Sequence, residues 1–211
     1  MKNKNILWVS LLLFPVIAAF VNTRPPTPIV IRGTSPKRWV VSQNSSLRVN
    51  GSTNINTFSC VIPAYDKTDT ITIKSETDKG VILSGSIGLS VNSFDCHNSG
   101  MTKQLQKTLN QKQFPVLQIR FLSLNNLPAI TRNPEAITGL VAIEIAGVTK
   151  QFEINYQISE DSEHVINLLG SRMLTFSDFK LIPPRKLGGM IKTKDQLTVA
   201  FHLKMKAIGD L

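Results

Sequence analysis

Apolar and polar residues alternate at every second position in segment after segment of this chain. The apolar members of these segments are Leu47 and Val49; Ile71 and Ile73; Val81, Leu83, Gly85, Ile87, Leu89 and Val91; Leu117, Ile119 and Phe121; Val141, Ile143 and Ile145; Phe152, Ile154, Tyr156 and Ile158; and Leu197, Val199, Phe201, Leu203 and Met205. This period gives a β-strand one dry face and one wet face. The chain is therefore predicted to fold mainly as strands that bury one side.

Residues typical of turns separate these segments. They are Gly51, Lys79–Gly80, Asn133–Pro134, Ala146–Gly147, Gly170 and Gly188–Gly189. One stretch departs from period two, because Met101, Leu105 and Leu109 follow a helical spacing. This stretch predicts a short helix over Thr102–Gln111, which Phe114–Pro115 ends.

The predicted fold is all-β, with about eight antiparallel strands and one short helix. Hydrophobic residues make up 42% of the chain, which is enough to build a substantial core. Eight strands with one apolar face can close into a barrel wide enough to enclose one elongated ligand. A two-sheet sandwich would show the same alternation, so periodicity leaves both architectures open.

The N-terminal segment has the features of a secretory signal peptide. Lys2 and Lys4 form a short basic head, and Ile6–Val21 follows without a charge. Residues 1–21 are therefore predicted to direct export to the periplasm or the extracellular space, with an uncleaved membrane anchor as the alternative. Residues 22–37 contain four prolines and are predicted to be a linker ahead of a folded domain at 38–208.

The residue types that carry catalysis or bind metals are sparse and scattered. His97, His164 and His202 lie far apart in sequence, which gives no metal-ligand spacing. No pair of carboxylates suits acid–base chemistry, and no glycine-rich phosphate loop precedes a helix. Asp178 fits a turn cap better than a general acid, and Cys96 would point away from its neighbour His97 on a strand. The sequence therefore predicts that the protein is not an enzyme.

The predicted mature domain is basic. The formal net charge is +10, and removal of Lys2 and Lys4 with the leader leaves 10 − 2 = +8. The residues that could form one basic surface are Lys37, Arg38, Arg48, Lys192, Lys194, Lys204 and Lys206. If they cluster, an anionic membrane surface or envelope polymer is the fitting partner, whereas scattered charges only aid solubility. Aromatic residues, at 7%, are too few for a nucleic-acid-binding protein.

Several short segments follow one another in the order typical of a known family. They are Ser46–Asn54 with Phe58–Cys60; Phe94–Cys96 with Met101 and the short helix; Phe114–Phe121; Gly139–Leu140 with Ile145–Lys150; and Ser177–Phe179 with Pro183–Pro184 and Gly188–Ile191. In this order they resemble the YceI-like family, whose lipocalin-like barrels are associated with polyisoprenoids and related lipids. The resemblance covers roughly Trp39 to Ile208 and is closest to the secreted branch with paired cysteines.

The resemblance implies a lipocalin-like barrel that binds an amphiphilic lipid, such as a polyisoprenoid, a quinone or a fatty acid, as ligand and not as cofactor. The residues expected to line its cavity are Leu117, Ile119, Phe121, Val141, Ile143, Ile145, Phe152, Ile154, Tyr156, Val199 and Phe201. By periodicity alone these side chains could equally fill a solid core. A filled barrel would instead be an interaction module that contacts an anionic membrane or an envelope partner through its basic exterior.

Cys60 and Cys96 are the only cysteines of the chain. The secreted branch that the chain resembles carries such a pair, and an oxidising compartment favours its oxidation. We therefore predict a disulfide between the two.

Overall fold

The computed structural model describes residues 37–77 and 80–208. Those residues form twelve strands and one α-helix. The strands are β1 Arg38–Val41, β2 Ser46–Thr53, β3 Thr57–Ile62, β4 Thr70–Thr77, β5 Gly80–Ser84, β6 Ser86–Ser90, β7 Val116–Leu124, β8 Glu135–Ile145, β9 Val148–Glu160, β10 Ile166–Thr175, β11 Arg185–Lys186 and β12 Ile191–Ile208, and the helix is α1 Ser99–Thr108. The predicted signal peptide at 1–21 and residues 22–36 of the predicted linker lie outside the described residues.

The strands close into an antiparallel barrel of eight strands, three of which are interrupted. Each interrupted barrel strand consists of two consecutive segments: β1 and β2 form one, β3 and β4 the next, and β5 and β6 the third. The remaining five follow in the order β7, β8, β9, β10 and β12. β12 closes the barrel, because it pairs with β10 on one side and with β2 and then β1 on the other, through Val49↔Val199 and Val41↔Met205. The predicted eight-stranded barrel is confirmed, and the two-sheet sandwich is wrong.

The break between β5 and β6 falls at Gly85. Its φ is 153°, and a Cβ atom there would lie 2.4 Å from the carbonyl oxygen of Thr70. No other residue type fits this close approach without a shift of the backbone. Both halves still pair with β7, through Val81↔Leu124 and Ile87↔Ile119, so the barrel wall continues past the break.

Two of the predicted turns are wrong, because Gly51 lies inside β2 and Gly170 inside β10. A Cβ atom at Gly170 would lie 2.3 Å from the ring of Phe201, and one at Gly51 would lie 2.3 Å from the ring of Phe58. Each glycine therefore makes room for an aromatic ring on the neighbouring strand and does not reverse the chain.

The helix is confirmed, but it begins at Ser99 and ends at Thr108 instead of spanning Thr102–Gln111. The side chain of Asn98 accepts a hydrogen bond of 2.9 Å from the Met101 amide, so it caps the helix three residues earlier than the apolar spacing indicated. No helix within 37–77 and 80–208 has the length and hydropathy needed to cross a lipid bilayer.

The core follows the alternation that the sequence shows. In β9, Phe152, Ile154, Tyr156 and Ile158 are buried, whereas the intervening polar side chains face outward. Strands from all sides contribute in the same way, and Val41 and Met205 are fully buried where β1 meets β12. Burying one such side chain contributes about 1.5–3 kcal/mol, so the lumen-facing residues supply most of the driving force for closure.

A disulfide joins Cys60 of β3 to Cys96, which follows β6. It lies beside the only direct backbone pairing between these segments, Val61↔Asp95, and both half-cystines are buried. The predicted pairing is confirmed. The cross-link therefore holds the β3 side of the barrel to the segment that leads into α1.

Removing this cross-link should destabilise the barrel without changing its topology. Closing a loop of 36 residues contributes about 3–4 kcal/mol on the chain-entropy model. We expect the double variant Cys60→Ala/Cys96→Ala to lose about this much free energy of unfolding in urea at neutral pH. Addition of a thiol reductant should lower the stability of the wild type only. An unchanged urea midpoint in the double variant would contradict this account.

Candidate ligand-binding site

Two apolar cavities occupy the lumen of the barrel. The serine-end cavity, of about 60 Å³, includes Ser45 and Tyr65 in its lining. The helix-end cavity, of about 90 Å³, lies beneath Leu105 and Leu109 at the end of α1. The walls of both are almost wholly aliphatic or aromatic, so the lumen favours an apolar occupant.

The same six side chains contribute to both cavities and separate them. These six, the dividing residues, are Leu47, Leu89, Ile119, Ile143, Leu174 and Val199. A water molecule needs about 10–15 Å³ of such space, so each cavity as it stands holds only a few small molecules. A prenyl or acyl chain that runs through the whole lumen requires the dividing residues to change rotamer. The lumen is therefore neither a solid core nor an open tunnel.

The structure brings together nearly all of the predicted cavity residues. Those that line the serine-end cavity are Ile119, Phe121, Val141, Ile143, Ile154, Tyr156, Val199 and Phe201. Leu117 and Ile145 line the helix-end cavity, together with Ile119, Ile143 and Val199. Phe152 lines neither, because it packs against Phe179 with ring centroids 6.0 Å apart and lies beneath the guanidinium group of Arg172.

Sequence reasoning missed several wall residues. Leu174 had no signal, since β10 shows no clean alternation, and Phe176 follows directly after that strand. Leu105 and Leu109 were identified as helical, but nothing indicated that α1 closes one end of the lumen. Arg172 was missed entirely, although it lines the serine-end cavity.

The polar groups of the lumen are concentrated at the serine end. Ser45 is satisfied locally, because its hydroxyl accepts a hydrogen bond of 2.9 Å from the Lys204 amide. Tyr65 donates its hydroxyl proton to the carboxylate of Asp69. Burial, with the neighbouring Asp69 carboxylate, raises the pKa of Tyr65 far above its usual range.

Tyr156 differs from these groups in its hydrogen bonding. It is 2% exposed and lines the serine-end cavity, with its ring edge-on to Phe201 at 5.7 Å between centroids. No hydrogen bond to its hydroxyl is formed by residues 37–77 or 80–208. Burial alone raises the pKa of this phenol far above its usual range.

The residues considered for catalysis have structural partners instead. The Asp178 carboxylate accepts 2.8 Å hydrogen bonds from the Thr175 amide and from Lys150 Nζ, and these interactions lower its pKa. This is the predicted turn-capping role. Cys96 has no free thiol. His202 binds Asn167 Oδ1 at 2.7 Å, and partial burial lowers its pKa. No group of three or more possible metal ligands occurs in the described part of the chain.

The seven basic residues considered as one surface do not form a single cluster. Lys194 and Lys206 both lie on β12, twelve residues apart and so separated by about 40 Å along the strand. Lys37 and Arg38 accompany Lys206 at the β1 end, where Arg38 pairs with Ile208. These charges are therefore distributed along the barrel wall.

Three solved structures share this architecture at low sequence identity. BcnA of Burkholderia cenocepacia is 15% identical, with the match covering 76% of this chain and 95% of BcnA at a TM-score of 0.56. A polyisoprenoid-binding domain from Saccharophagus degradans, implicated in plant cell wall breakdown, is 11% identical. The match covers 81% of this chain and 98% of the domain at a TM-score of 0.62. A mutant of the Campylobacter jejuni YceI protein, prepared for nanotechnology applications, is 14% identical. The match covers 77% of this chain and 86% of the mutant protein at a TM-score of 0.50.

The chain has the fold of these three barrels. No protein-family model and no curated protein matches the sequence, so this conclusion rests on the shape of the backbone. Each of the three structures is matched over at least 86% of its length, so the likeness includes the whole barrel.

Both tyrosines of the chain line the serine-end cavity, and the pKa of each is raised. We expect no tyrosinate absorbance in the folded protein at about pH 10–11, where an exposed phenol ionises. Because the folded state holds both phenol protons more tightly than the unfolded chain, stability is full below about pH 10 and falls as the pH rises above it. Tyrosinate absorbance that rises near pH 10 with an unchanged circular dichroism spectrum would contradict this burial.

Proposed function

We propose that the protein is an exported, non-enzymatic barrel that binds an amphiphilic lipid and carries its apolar tail through an aqueous compartment. The observation that carries this proposal is the apolar lumen, whose two cavities share the six dividing residues as walls. Each Å² of tail surface removed from water contributes about 25 cal/mol, so a tail that fills the lumen gains affinity over its whole length. The polar head would remain at the barrel surface.

The comparisons support a binding function over a catalytic one. The Saccharophagus degradans domain with the same fold is described as polyisoprenoid-binding. A long prenyl chain is therefore the first candidate for the tail, and a quinone or a fatty acid would present the same chemistry to the walls. Because a shared fold does not determine function, the proposal rests on the lumen itself.

Export is part of the proposal. The disulfide supports an oxidising compartment, since glutathione and thioredoxin keep most cytosolic thiols reduced. Residues 1–21 would then be the signal peptide, residues 22–37 the linker, and residues 38–208 the lipid-binding domain. An exported carrier needs this arrangement to shield a lipid tail from water between membranes.

A bulkier dividing residue should shorten the tail that the lumen accepts. Ile143 borders both cavities and is 8% exposed, so Ile143→Phe places extra volume where a long chain must pass. We expect this variant to bind a forty-carbon polyprenol at least about tenfold more weakly than wild type and to keep its affinity for the fifteen-carbon farnesol, as measured by calorimetric titration.

The matched control is Ile82→Phe. Ile82 is 52% exposed on the outer face of β5 and lines neither cavity. This variant should bind both alcohols as wild type does. An equal loss of both ligands in Ile143→Phe, with thermal stability retained, would show that tails do not cross the dividing residues.

A second candidate function, contact with an anionic membrane surface, is supported by one end of the barrel. The β2–β3 hairpin is hydrogen-bonded to the segment before β12, since Asn54 Nδ2 donates to the Met190 carbonyl at 2.9 Å. The large apolar side chains exposed there are Ile55, Ile182, Leu187 and Met190, exposed by 65%, 80%, 69% and 75%. The basic residues of this segment and of the start of β12 are Lys180, Arg185, Lys186, Lys192 and Lys194. Apolar side chains among cations suit an interface with acidic lipids.

The membrane candidate can be tested with two pairs of equal substitutions. Leu187→Ser/Met190→Ser removes two apolar side chains from this end, whereas Leu169→Ser/Met173→Ser removes the same residue types from the outer face of β10. We expect only the first pair to reduce co-sedimentation with phosphatidylglycerol vesicles, by about fivefold or more, because each buried apolar side chain contributes to partitioning. Binding should weaken with salt and be absent on phosphatidylcholine vesicles. An equal reduction by both pairs would remove this candidate.

A further inference from the structure

The barrel wall has a gap between β9 and β10. The two strands pair from Glu160↔Ile166 to Asn155↔Ser171, and the described residues form no β9–β10 pair beyond this point. Both strands continue on their other sides, β9 with β8 as far as Val148 and β10 with β12 as far as Thr175. Two strands that stay paired to outer neighbours while separating from each other leave a lateral opening, which we call the side gap.

The far end of the side gap is closed by the turn at Ser177–Phe179. The Lys150 ammonium of β9 binds the Asp178 carboxylate at 2.8 Å. Next to it, the rings of Phe152 and Phe179 lie 6.0 Å apart. The side gap is therefore bounded by Asn155↔Ser171 at one end and by these two contacts at the other.

Arg172 lies within the side gap. In β10 it shares the inward register with the buried residues Ile166, Leu168 and Leu174, yet it is exposed to solvent. Its guanidinium carbon lies 5.8 Å from the centre of the Phe152 ring, and its side chain lines the serine-end cavity. Arg172 thus connects the solvent at the side gap with the apolar lumen.

No carboxylate of the described residues lies within ion-pair distance of Arg172. By contrast, Lys150 at the end of the same gap has its charge paired with Asp178. The guanidinium group is permanently charged and offers a planar fork of donors that matches phosphate and carboxylate oxygens. Its position beside an apolar cavity suits an anion that is attached to an apolar chain.

A second polar group lines the same cavity with no partner among the described residues. Tyr156 pairs with Gly170 across β9 and β10, so it lies diagonally beside Arg172 on the inward face. Its side chain is 2% exposed, and its hydroxyl is a donor that a ligand oxygen could satisfy. No side-chain nitrogen or oxygen of the described residues is fully buried without a partner, so this hydroxyl reaches the open space of the cavity, where a ligand oxygen can accept its proton.

We propose that Arg172 in the side gap, with Tyr156 behind it, binds the anionic head of the lipid, so that the ligand is a phosphate- or carboxylate-bearing amphiphile and not a neutral one. This inference rests on the proposed lipid-binding function and adds the head to it. The head pairs with the guanidinium group at the side gap, and the tail enters the serine-end cavity from there. The side gap is then the mouth of the lumen.

The test compares farnesyl phosphate with farnesol, which share one prenyl chain and differ in the anionic head. Calorimetric titration of the detergent-free protein should show farnesyl phosphate binding at least about tenfold more tightly than farnesol. Arg172→Gln should abolish this preference by weakening farnesyl phosphate about tenfold more than it weakens farnesol. Arg172→Lys should keep part of the preference, because it retains the charge and loses the fork. Tyr156→Phe should reduce the preference about threefold without changing the fold.

The matched control is Arg120→Gln, which removes the same charge from the outer face of β7 and should leave both affinities unchanged. Inorganic phosphate at the concentration of the lipid should not compete, and competition would identify a free anion as the ligand and overturn the proposal. If Arg172→Gln weakens both ligands equally, or neither, Arg172 does not bind the head and the proposal is overturned while lipid binding stands. If wild type binds neither prenyl compound, both the proposed function and this inference fail.

Discussion

The pairing of β12 on both of its edges is the interaction on which the rest of the structure depends. This strand of 18 residues carries β10 along one edge, and β2 followed by β1 along the other. A sheet that ended at β10 would expose a row of unpaired backbone groups, and the alternating apolar faces would have no common interior. Because β12 closes the ring, its inward residues Val199, Phe201 and Leu203 become walls of the lumen. Closure therefore creates the cavities and the core together.

Within the described residues the strand ladder of the barrel is interrupted beside β3, where Val61↔Asp95 is an isolated pair, and again between β9 and β10. The second interruption brings a charged side chain to the apolar lumen. Along most of the wall the lumen is bounded by aliphatic and aromatic side chains, which can discriminate tails by length and width only. Where β9 and β10 separate, a cation and an aromatic ring fill the space that backbone pairing leaves. On the proposed function, such a barrel would select the tail inside the lumen and the head at the side gap. The narrowness of the two cavities adds a conformational step, because the dividing residues have to move before a long tail is held.

The sequence predicted the strands that have one buried face and one solvent-exposed face. β9 and β12 show strict alternation, and the structure places their apolar residues inside. β10 escaped recognition because Leu169 and Met173 face outward with 44% and 55% exposure, so apolar residues occur on both of its faces. Without β10, the inward register of Arg172 could not be inferred. The glycines at 51 and 170 were taken for turns because their sequence does not reveal which ring lies against them.

The central claim, that the lumen holds a lipid tail, is tested most directly by native mass spectrometry of the protein purified from an exporting host without detergent. The account predicts a stoichiometric adduct whose organic extract contains one prenyl or acyl species with an anionic head. The same spectrum reports the disulfide, since oxidation of two thiols removes two hydrogens. A bare mass that remains bare after incubation with polyprenyl phosphates, quinones and fatty acids would contradict the account.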